Sequence, residues 1–228
     1  QGGDRVADTD WTVSLVDNGA SGLGLQYELT HINLRATGDK YLVIDTDASG
    51  SGQDLVLDAR VTGNGNIAFN AKDGQAIVFQ SKPNEANNYT GATFVQNGTL
   101  SLESNKVLGD TSVLNVSGGA SVLLNNTTQL VHDLAGTGGI DLGSGTLNLT
   151  KTAQDDLAVG NAISGSSGTL AINLSGGELT FTNDTSDTWE GKLELTNTLL
   201  KLNGYAEGAL DEVSVTANAG TKITVDSQ

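Results

Sequence analysis

Tyr89-Thr90-Gly91-Ala92-Thr93-Phe94-Val95-Gln96-Asn97-Gly98-Thr99-Leu100-Ser101-Leu102 decides the reading of this chain, because it nearly returns a hundred residues later. Tyr89-Thr90-Gly91 comes back as Trp189-Glu190-Gly191, Asn97 as Asn197, Leu100 as Leu200 and Leu102 as Leu202. Leu108, in Val107-Leu108-Gly109, returns as Leu210 with a slip of two. Between these points run short alternating strands cut by Gly, Asn and Asp. Self-similarity of this kind points to a solenoid, a long surface before it is a pocket.

Working outward, alternation with period two is nearly everywhere. Trp11, Val13 and Leu15 share a side, as do Ile32, Leu34 and Ala36, and Leu55, Leu57, Ala59 and Val61. Thr146-Leu147-Asn148-Leu149, Thr169 to Leu174, Glu178 to Phe181, Lys192 to Leu195 and Lys222 to Val225 repeat the pattern. Thr, Ser, Asn or a charge takes the outward position and an apolar residue the inward one, as in strands with one wet face. One short helical turn is expected at Ala153 to Ala162.

The strands also fall into pairs seven residues apart: Val116 and Leu123, Ile140 and Leu147, Ile172 and Leu179, Leu193 and Leu200. Corners rich in Gly or Asn separate them: Gly118-Gly119, Gly143-Ser144-Gly145, Gly176-Gly177 and Asn197-Thr198. These residues accept left-handed backbone conformations. The leading residues advance by 24, 32 and 21 positions. A coil of three short strands takes roughly 20 to 25 residues, so the interval of 32 implies a loop insertion near Thr150 to Asn161. The spacing is short for hairpins and favours an all-β, parallel β-helix of three-strand coils over an antiparallel β-sandwich. About ten rungs at ~4.8 Å would make a right-handed stack about 50 Å long.

A second pattern joins three places. Val61-Thr62-Gly63-Asn64-Gly65-Asn66-Ile67 matches Leu134-Ala135-Gly136-Thr137-Gly138-Gly139-Ile140, and Ile163 to Gly168 followed by Leu170 is a looser copy. Two glycines so close after a strand fit a corner where backbone crowds backbone. With no helix expected after them, they do not make a dinucleotide fingerprint.

Composition bounds the function. The 228 residues are 37% hydrophobic, mostly Leu, Val, Ile and Ala, which suits a thin core of similar layers. Asp and Glu outnumber Lys and Arg by 27 to 11, a net charge of −16. Such a surface repels phosphate backbones and anionic lipid, so neither nucleic acid nor a membrane surface is an expected partner. Cysteine is absent, excluding disulfides and thiol chemistry; this is unremarkable in a cytosolic protein and in a bacterial surface protein would suit export through a pore. No signal peptide reads at Gln1-Gly2-Gly3-Asp4. No apolar run reaches the ~18 residues of a membrane-spanning helix. Without an initiating Met, the chain is expected to be a piece of a longer polypeptide.

Candidate chemistry is sparse. His31 and His132 are the only histidines, and His132 in Leu130-Val131-His132-Asp133-Leu134 reads as an outward strand residue. No serine stands in Gly-x-Ser-x-Gly. Two distant histidines without a clustered carboxylate make a poor metal site. Gly138-Gly139-Ile140-Asp141 and Asp45-Thr46-Asp47 are too short for calcium loops. Glycan-cleaving β-helices gather carboxylates and bases on one wall. Here the acids are scattered, and Arg35, Lys40 and Arg60 are expected apart from them. The sequons at Asn88, Asn97, Asn125 and Asn148 read as strand and corner residues. Neither a catalytic residue nor a metal or other cofactor is expected.

Gly22-Leu23-Gly24-Leu25-Gln26-Tyr27-Glu28-Leu29-Thr30 with Ile32-Asn33-Leu34 resembles the start of the conserved passenger region of pertactin-like autotransporters. Asn88 to Thr93, Gly98-Thr99-Leu100 and Val107-Leu108-Gly109 resemble that family's passenger-associated transport repeat. Leu134-Ala135-Gly136-Thr137-Gly138 is similar to the segment that follows it. The second copy, Trp189 to Val225, departs in carrying Asp211 where Gly109 stands in the first. The resemblance spans about residues 10 to 226. It implies a right-handed β-helix carried across both membranes of a Gram-negative cell, then secreted or displayed at its surface.

The resemblance thus implies a single segment, residues 1–228, of a longer adhesin-type passenger, with transport-repeat-like units at about 88–125 and 188–226. Its folding and transport positions would be Tyr89, Gly91, Leu100, Leu102, Leu108, Gly109, Trp189, Gly191, Leu200, Leu202 and Leu210. Its partners would be its own C-terminal outer-membrane β-barrel, which lies outside this chain, and another copy or a host-surface ligand. The expected role is a non-enzymatic stalk and folding core of a surface adhesin or self-aggregation factor. The alternative is the scaffold of a secreted glycan-cleaving or proteolytic enzyme whose catalytic module lies elsewhere.

Overall fold

The computed structural model describes residues 5–17, 23–46, 52–72, 74–183, 188–202 and 210–225. It opens with an antiparallel hairpin of β1 (Ala7–Asp17) and β2 (Leu23–Leu34), the only antiparallel pair among the described strands. Every other ladder is parallel, so the sandwich alternative is excluded and the molecule is a β-solenoid.

The chain then visits three faces in turn. The first coils run through β3 (Tyr41–Asp45), β4 (Leu55–Leu57), β5 (Arg60–Gly63), β6 (Asn66–Asn70) and β7 (Ala76–Phe79). Next come β8 (Thr93–Asn97), β9 (Thr99–Leu102), β10 (Leu114–Val116), β11 (Ser121–Leu123), β12 (Thr128–Val131), β13 (Leu134–Gly136) and β14 (Gly139–Asp141). The stack continues with β15 (Thr146–Thr150), β16 (Leu157–Val159), β17 (Ala162–Ser164), β18 (Thr169–Asn173) and β19 (Glu178–Phe181). It ends with β20 (Lys192–Thr196), β21 (Leu199–Leu202), β22 (Ser214–Ala217) and β23 (Lys222–Val225).

On the first face β5 is followed by Asn88–Thr90 and Asp110–Thr111, bonded backbone to backbone, and then by β12, β15, β18, β20 and β22. The second face holds β3, β6, β8, β10 and β13, with β16, β19, β21 and β23 continuing it. The third holds β4, β7, β9, β11, β14 and β17, then a bridge from Gly165 to Trp189.

Register partners one turn apart include Ile67 with Thr93, Leu114 with Leu134, Leu147 with Leu170 and Val122 with Ile140. The turns are therefore unequal, the first of these four being the longest and the last the shortest. About seven turns result, not the ten rungs expected. That expectation divided the whole chain by one coil length, whereas the first strands form a hairpin and the last described strands stack on two faces only. The seven-turn stack is roughly 35 Å long.

The seven-residue pairs explain the second correction. Val116 and Leu123 lie on the second and third faces, Ile140 and Leu147 on the third and first, and Ile172 and Leu179 on the first and second. Their leading residues are therefore not equivalent, and the interval of 32 is one turn plus a change of face. Ile140 pairs with Ile163 and Leu149 with Ile172, a turn shorter than that from Ile67 to Thr93 and without an insertion. No helical turn forms at Ala153 to Ala162 either: Leu157–Val159 is β16, with Leu157 and Val159 buried. No helix among the described residues is long and apolar enough to cross a membrane.

Inward residues stack into columns. Ile77, Leu100, Val122 and Ile140 make one, Leu147, Leu170 and Leu193 another, and all are fully buried. Phe69 and Phe79 pack with ring centroids 5.2 Å apart. The tandem glycines are steric necessities. Gly136 has φ +88°, and a Cβ there would collide with the Val116 carbonyl oxygen one turn back. Several corners use left-handed residues as expected, Asn125, Asn197, Gly119, Gly143 and Gly176 among them.

Candidate functional site

The positions expected from the resemblance to a transport repeat are interior or packed on the core. Tyr89, Leu100, Leu102, Leu108, Trp189 and Leu200 are buried, and Leu202 and Leu210 pack against the same core. Gly91 and Gly191 share one cause: a Cβ on Gly91 would collide with the Gly65 carbonyl oxygen, and one on Gly191 with that of Gly168. Gly109 sits at φ +63° against the Tyr89 backbone. Yet the two copies are not stacked in line. Tyr89 lies on the first face, one corner before β8 on the second. Trp189 lies on the third, one corner before β20 on the first. The second copy is a third of a turn out of phase with the first.

Around Tyr89 a polar chain runs through the core. Its hydroxyl lies 2.8 Å from the Thr93 hydroxyl, which lies 2.9 Å from that of Thr111, which donates to the Gly91 carbonyl at 2.7 Å. Burial pushes the ionisation of the Tyr89 phenol well up, so it remains neutral. The indole N–H of Trp189 is buried without a hydrogen-bond partner among the described residues.

Outside, the cluster nearest to an active site surrounds His132, where a shallow cleft of about 510 Å³ is lined by Asp110, Ser112, His132, Asp133, Lys151 and Asp155 among others. Its Nε2 lies 2.7 Å from Asp110 Oδ1 and its Nδ1 2.7 Å from the Thr150 carbonyl. These partners come from the turns before and after. The Thr150 carbonyl, with Asp110 behind it, raises the His132 pKa. Facing two acceptors, the ring is satisfied only as the imidazolium. Both nitrogens being engaged, neither activates Ser112, so the cleft lacks a nucleophile–base pair.

Lys151 is the buried cation of the cleft, 8% exposed. Its Nζ donates to Asp155 at 2.7 Å and to the Asp156 carbonyl at 3.1 Å, with Asp133 at 3.4 Å. The Lys151 hydrogen bond lowers the pKa of Asp155.

Sequence reasoning missed this cluster. The signal that could have found it is the interval from Asp110 to His132, close to the turn that pairs Thr111 with Val131, which brings the two side chains within reach. Nor do all the bases stand apart from the acids, the arrangement expected of Arg35. Arg35 pairs with Asp8, and Lys82 with Glu28 and, at 4.0 Å, Asp58. Arg60 is bonded to the Ala86 carbonyl. His31 lies between Asp10, at 3.0 Å, and Thr62, at 2.7 Å. Asp141 accepts from the Gly143 N–H at 2.8 Å, and Asp45 from Asn70 at 3.1 Å, while Asp47 lies outside the described residues. No group of three or more His, Asp or Glu converges to hold a metal among the described residues.

At the hairpin the expected inward face is not covered. Trp11, Val13 and Leu15 do share a side, but they are 55%, 55% and 72% exposed. At the far end, Ile223 and Val225 of β23 are 48% and 72% exposed, because no described coil stacks on them.

Two relatives from Escherichia coli K12 are similar to the chain. A protein named uncharacterized protein YuaQ is 35% identical over 144 residues, covering 63% of this chain and 10% of its own length. One named uncharacterized lipoprotein YdeK is 30% identical over 228 residues, covering 98% of this chain and 17% of its own length. The chain thus spans no more than 17% of either relative. No family model and no solved structure matches it.

Proposed function

We propose that this chain is a non-enzymatic segment of a large cell-envelope protein of a Gram-negative bacterium, carried as an autotransporter passenger and displayed at the surface. It serves as stalk and folding core of an adhesin or self-aggregation factor, and its coils wind right-handed, as parallel crossovers nearly always do. The observation that supports this best is the outward strip on the first face, polar but for Ala171. Thr146, Thr169, Lys192 and Ser214 stack in one outward column and Asn148, Ala171, Glu194 and Thr216 in the next. Stacked short side chains on a rigid sheet suit wide, shallow contacts rather than enclosure of a substrate. The name lipoprotein borne by one relative supports an envelope location, and the passenger-like motifs support the delivery route.

The test is display of the whole protein from its natural reading frame. Deleting residues 89–114 or 189–225 is expected to lower its surface export, and reversing outward charges such as Lys192 and Glu194 to reduce cell clumping. Normal export after both deletions would reject the folding-core role. Glycan or peptide cleavage by the whole displayed protein, but not by the purified chain, would favour the enzyme-scaffold alternative.

A further inference from the structure

β1 and β2 continue well beyond the coil they adjoin. Their first residues belong to the solenoid: Ala7 packs on the core opposite Leu34, and Thr9 lies opposite Ile32. On β1 the same side continues through Trp11, Val13 and Leu15. These pair with Leu29, Tyr27 and Leu25, past a shift in register between Asp10 and Trp11. The result is a two-stranded ribbon with six large apolar side chains on one side, of which Leu29 packs against the solenoid core and the other five are exposed. Leu25 and Tyr27 are 58% and 63% exposed, comparable to their β1 partners. The opposite side carries Thr12, Ser14, Gln26 and Glu28. Among the described strands β1 pairs only with β2, and β5 lies beside just the far end of β2.

Two-stranded ribbons are marginal in water without a layer behind them, and monomers rarely leave so large an apolar patch open. We propose that this face is a self-association surface, on which the ribbon of a second copy packs face to face about a two-fold axis. The occupant follows from shape, area and charge. An apolar face of this kind can meet its own copy across a two-fold axis, with the exposed Trp11 and Tyr27 suited to act as anchors. Covering it removes roughly 600 Å² from each copy, about 1,200 Å² together, which reaches the lower end of stable protein interfaces. It carries no charge, so repulsion between two chains of net charge −16 acts only at long range and is screened over about 8 Å at physiological salt. Association therefore tightens as salt rises, opposite to an interface built on ion pairs. This proposal rests on the reading of the chain as an interaction segment and names where that interaction occurs.

Sedimentation velocity of the purified 228-residue chain tests it. A reversible dimer with a dissociation constant on the order of micromolar is expected, strengthening from low to high salt. Replacing Trp11→Ser together with Tyr27→Ser should weaken it at least about tenfold, the effect of losing one anchor's worth of binding energy. The charge-neutral pair Ser14→Asn and Gln26→Ser on the opposite side should leave it unchanged. Circular dichroism verifies that both variants retain the solenoid. In this cysteine-free chain, a single Val13→Cys should form a covalent dimer on oxidation faster than Ser14→Cys, whether or not the serine variant folds. A chain that stays monomeric at every salt concentration overturns the proposal, as does a dimer indifferent to Trp11 and Tyr27 or equal crosslinking of the two cysteines. None of those results touches the export measurements, so the stalk role stands or falls separately.

Discussion

The Tyr89 hydroxyl lies 2.8 Å from the Thr93 hydroxyl in the middle of the core, whereas Trp189, its counterpart in the second copy, buries an indole N–H that no described residue accepts. The two aromatic residues fill similar space but carry different polar debts. Tyr89→Phe should cost about 1 kcal/mol in chemical denaturation, the net worth of one buried hydrogen bond. Trp189→Phe should cost no more than that despite the greater volume removed, because it also eliminates an unsatisfied donor worth about 1–3 kcal/mol. A loss above about 3 kcal/mol at Trp189 would show that indole packing dominates.

Gly119 and Gly136 form a matched pair, with φ of +86° and +88°. Nothing lies within 4 Å of a Cβ at Gly119, while one at Gly136 meets the Val116 carbonyl. Gly119→Ala should therefore cost about 1–2 kcal/mol from backbone conformation alone. Gly136→Ala adds the collision and should exceed it by about 2 kcal/mol or more. Equal losses in thermal unfolding would mean that neighbouring turns part freely.

The raised pKa of His132 gives the fold a pH dependence of definite sign. Because the folded state favours the imidazolium, the stability it contributes is present below the unfolded value of about 6.5 and disappears as pH rises through the folded value. Comparing the native chain with His132→Gln, the melting difference should favour the native residue near pH 5.5 and shrink by about pH 8.5. The ring is partly exposed, so the effect is at most about 1 kcal/mol. A difference that grows with pH would contradict the hydrogen bonds to Thr150 and Asp110.

Core position along the stack should set the cost of truncation. Leu170 is fully buried between Leu147 and Leu193, and Leu170→Ala should cost about 2–5 kcal/mol. Ile223 is stacked on one side only and 48% exposed, so Ile223→Ala should cost under about 1.5 kcal/mol. Hydrogen exchange should likewise be slow in β18 and fast in β23.

Strand positions were legible wherever burial is one-sided. Thr146 to Leu149 and Thr169 to Ile172 alternate because one side meets the core and the other water, and local sequence records that directly. The glycine corners were legible too, since backbone crowding leaves no other choice. Which face a strand occupies was not, because a face is defined by what lies one turn away. Val116, Ile140 and Ile172 look alike in sequence yet sit on different faces. The same limit hid the partners of His132, which lie one turn before it and one turn after. At β1, alternation identified the shared side of Trp11, Val13 and Leu15 correctly, but a period of two cannot say whether that side is covered.

The third-of-a-turn offset between the Tyr89 and Trp189 units has a consequence for how the chain finds its way. A tape of identical coils can zip up one coil too early and still satisfy every ladder, leaving a kinetic trap that is nearly as stable as the goal. Here the turns differ in length and the two most similar stretches arrive on different walls. A mispaired coil would bring a glycine corner against a bulky strand or leave Tyr89 away from Thr111. Irregularity thus acts as a combination lock, making the correct alignment the one in which all the corners close together.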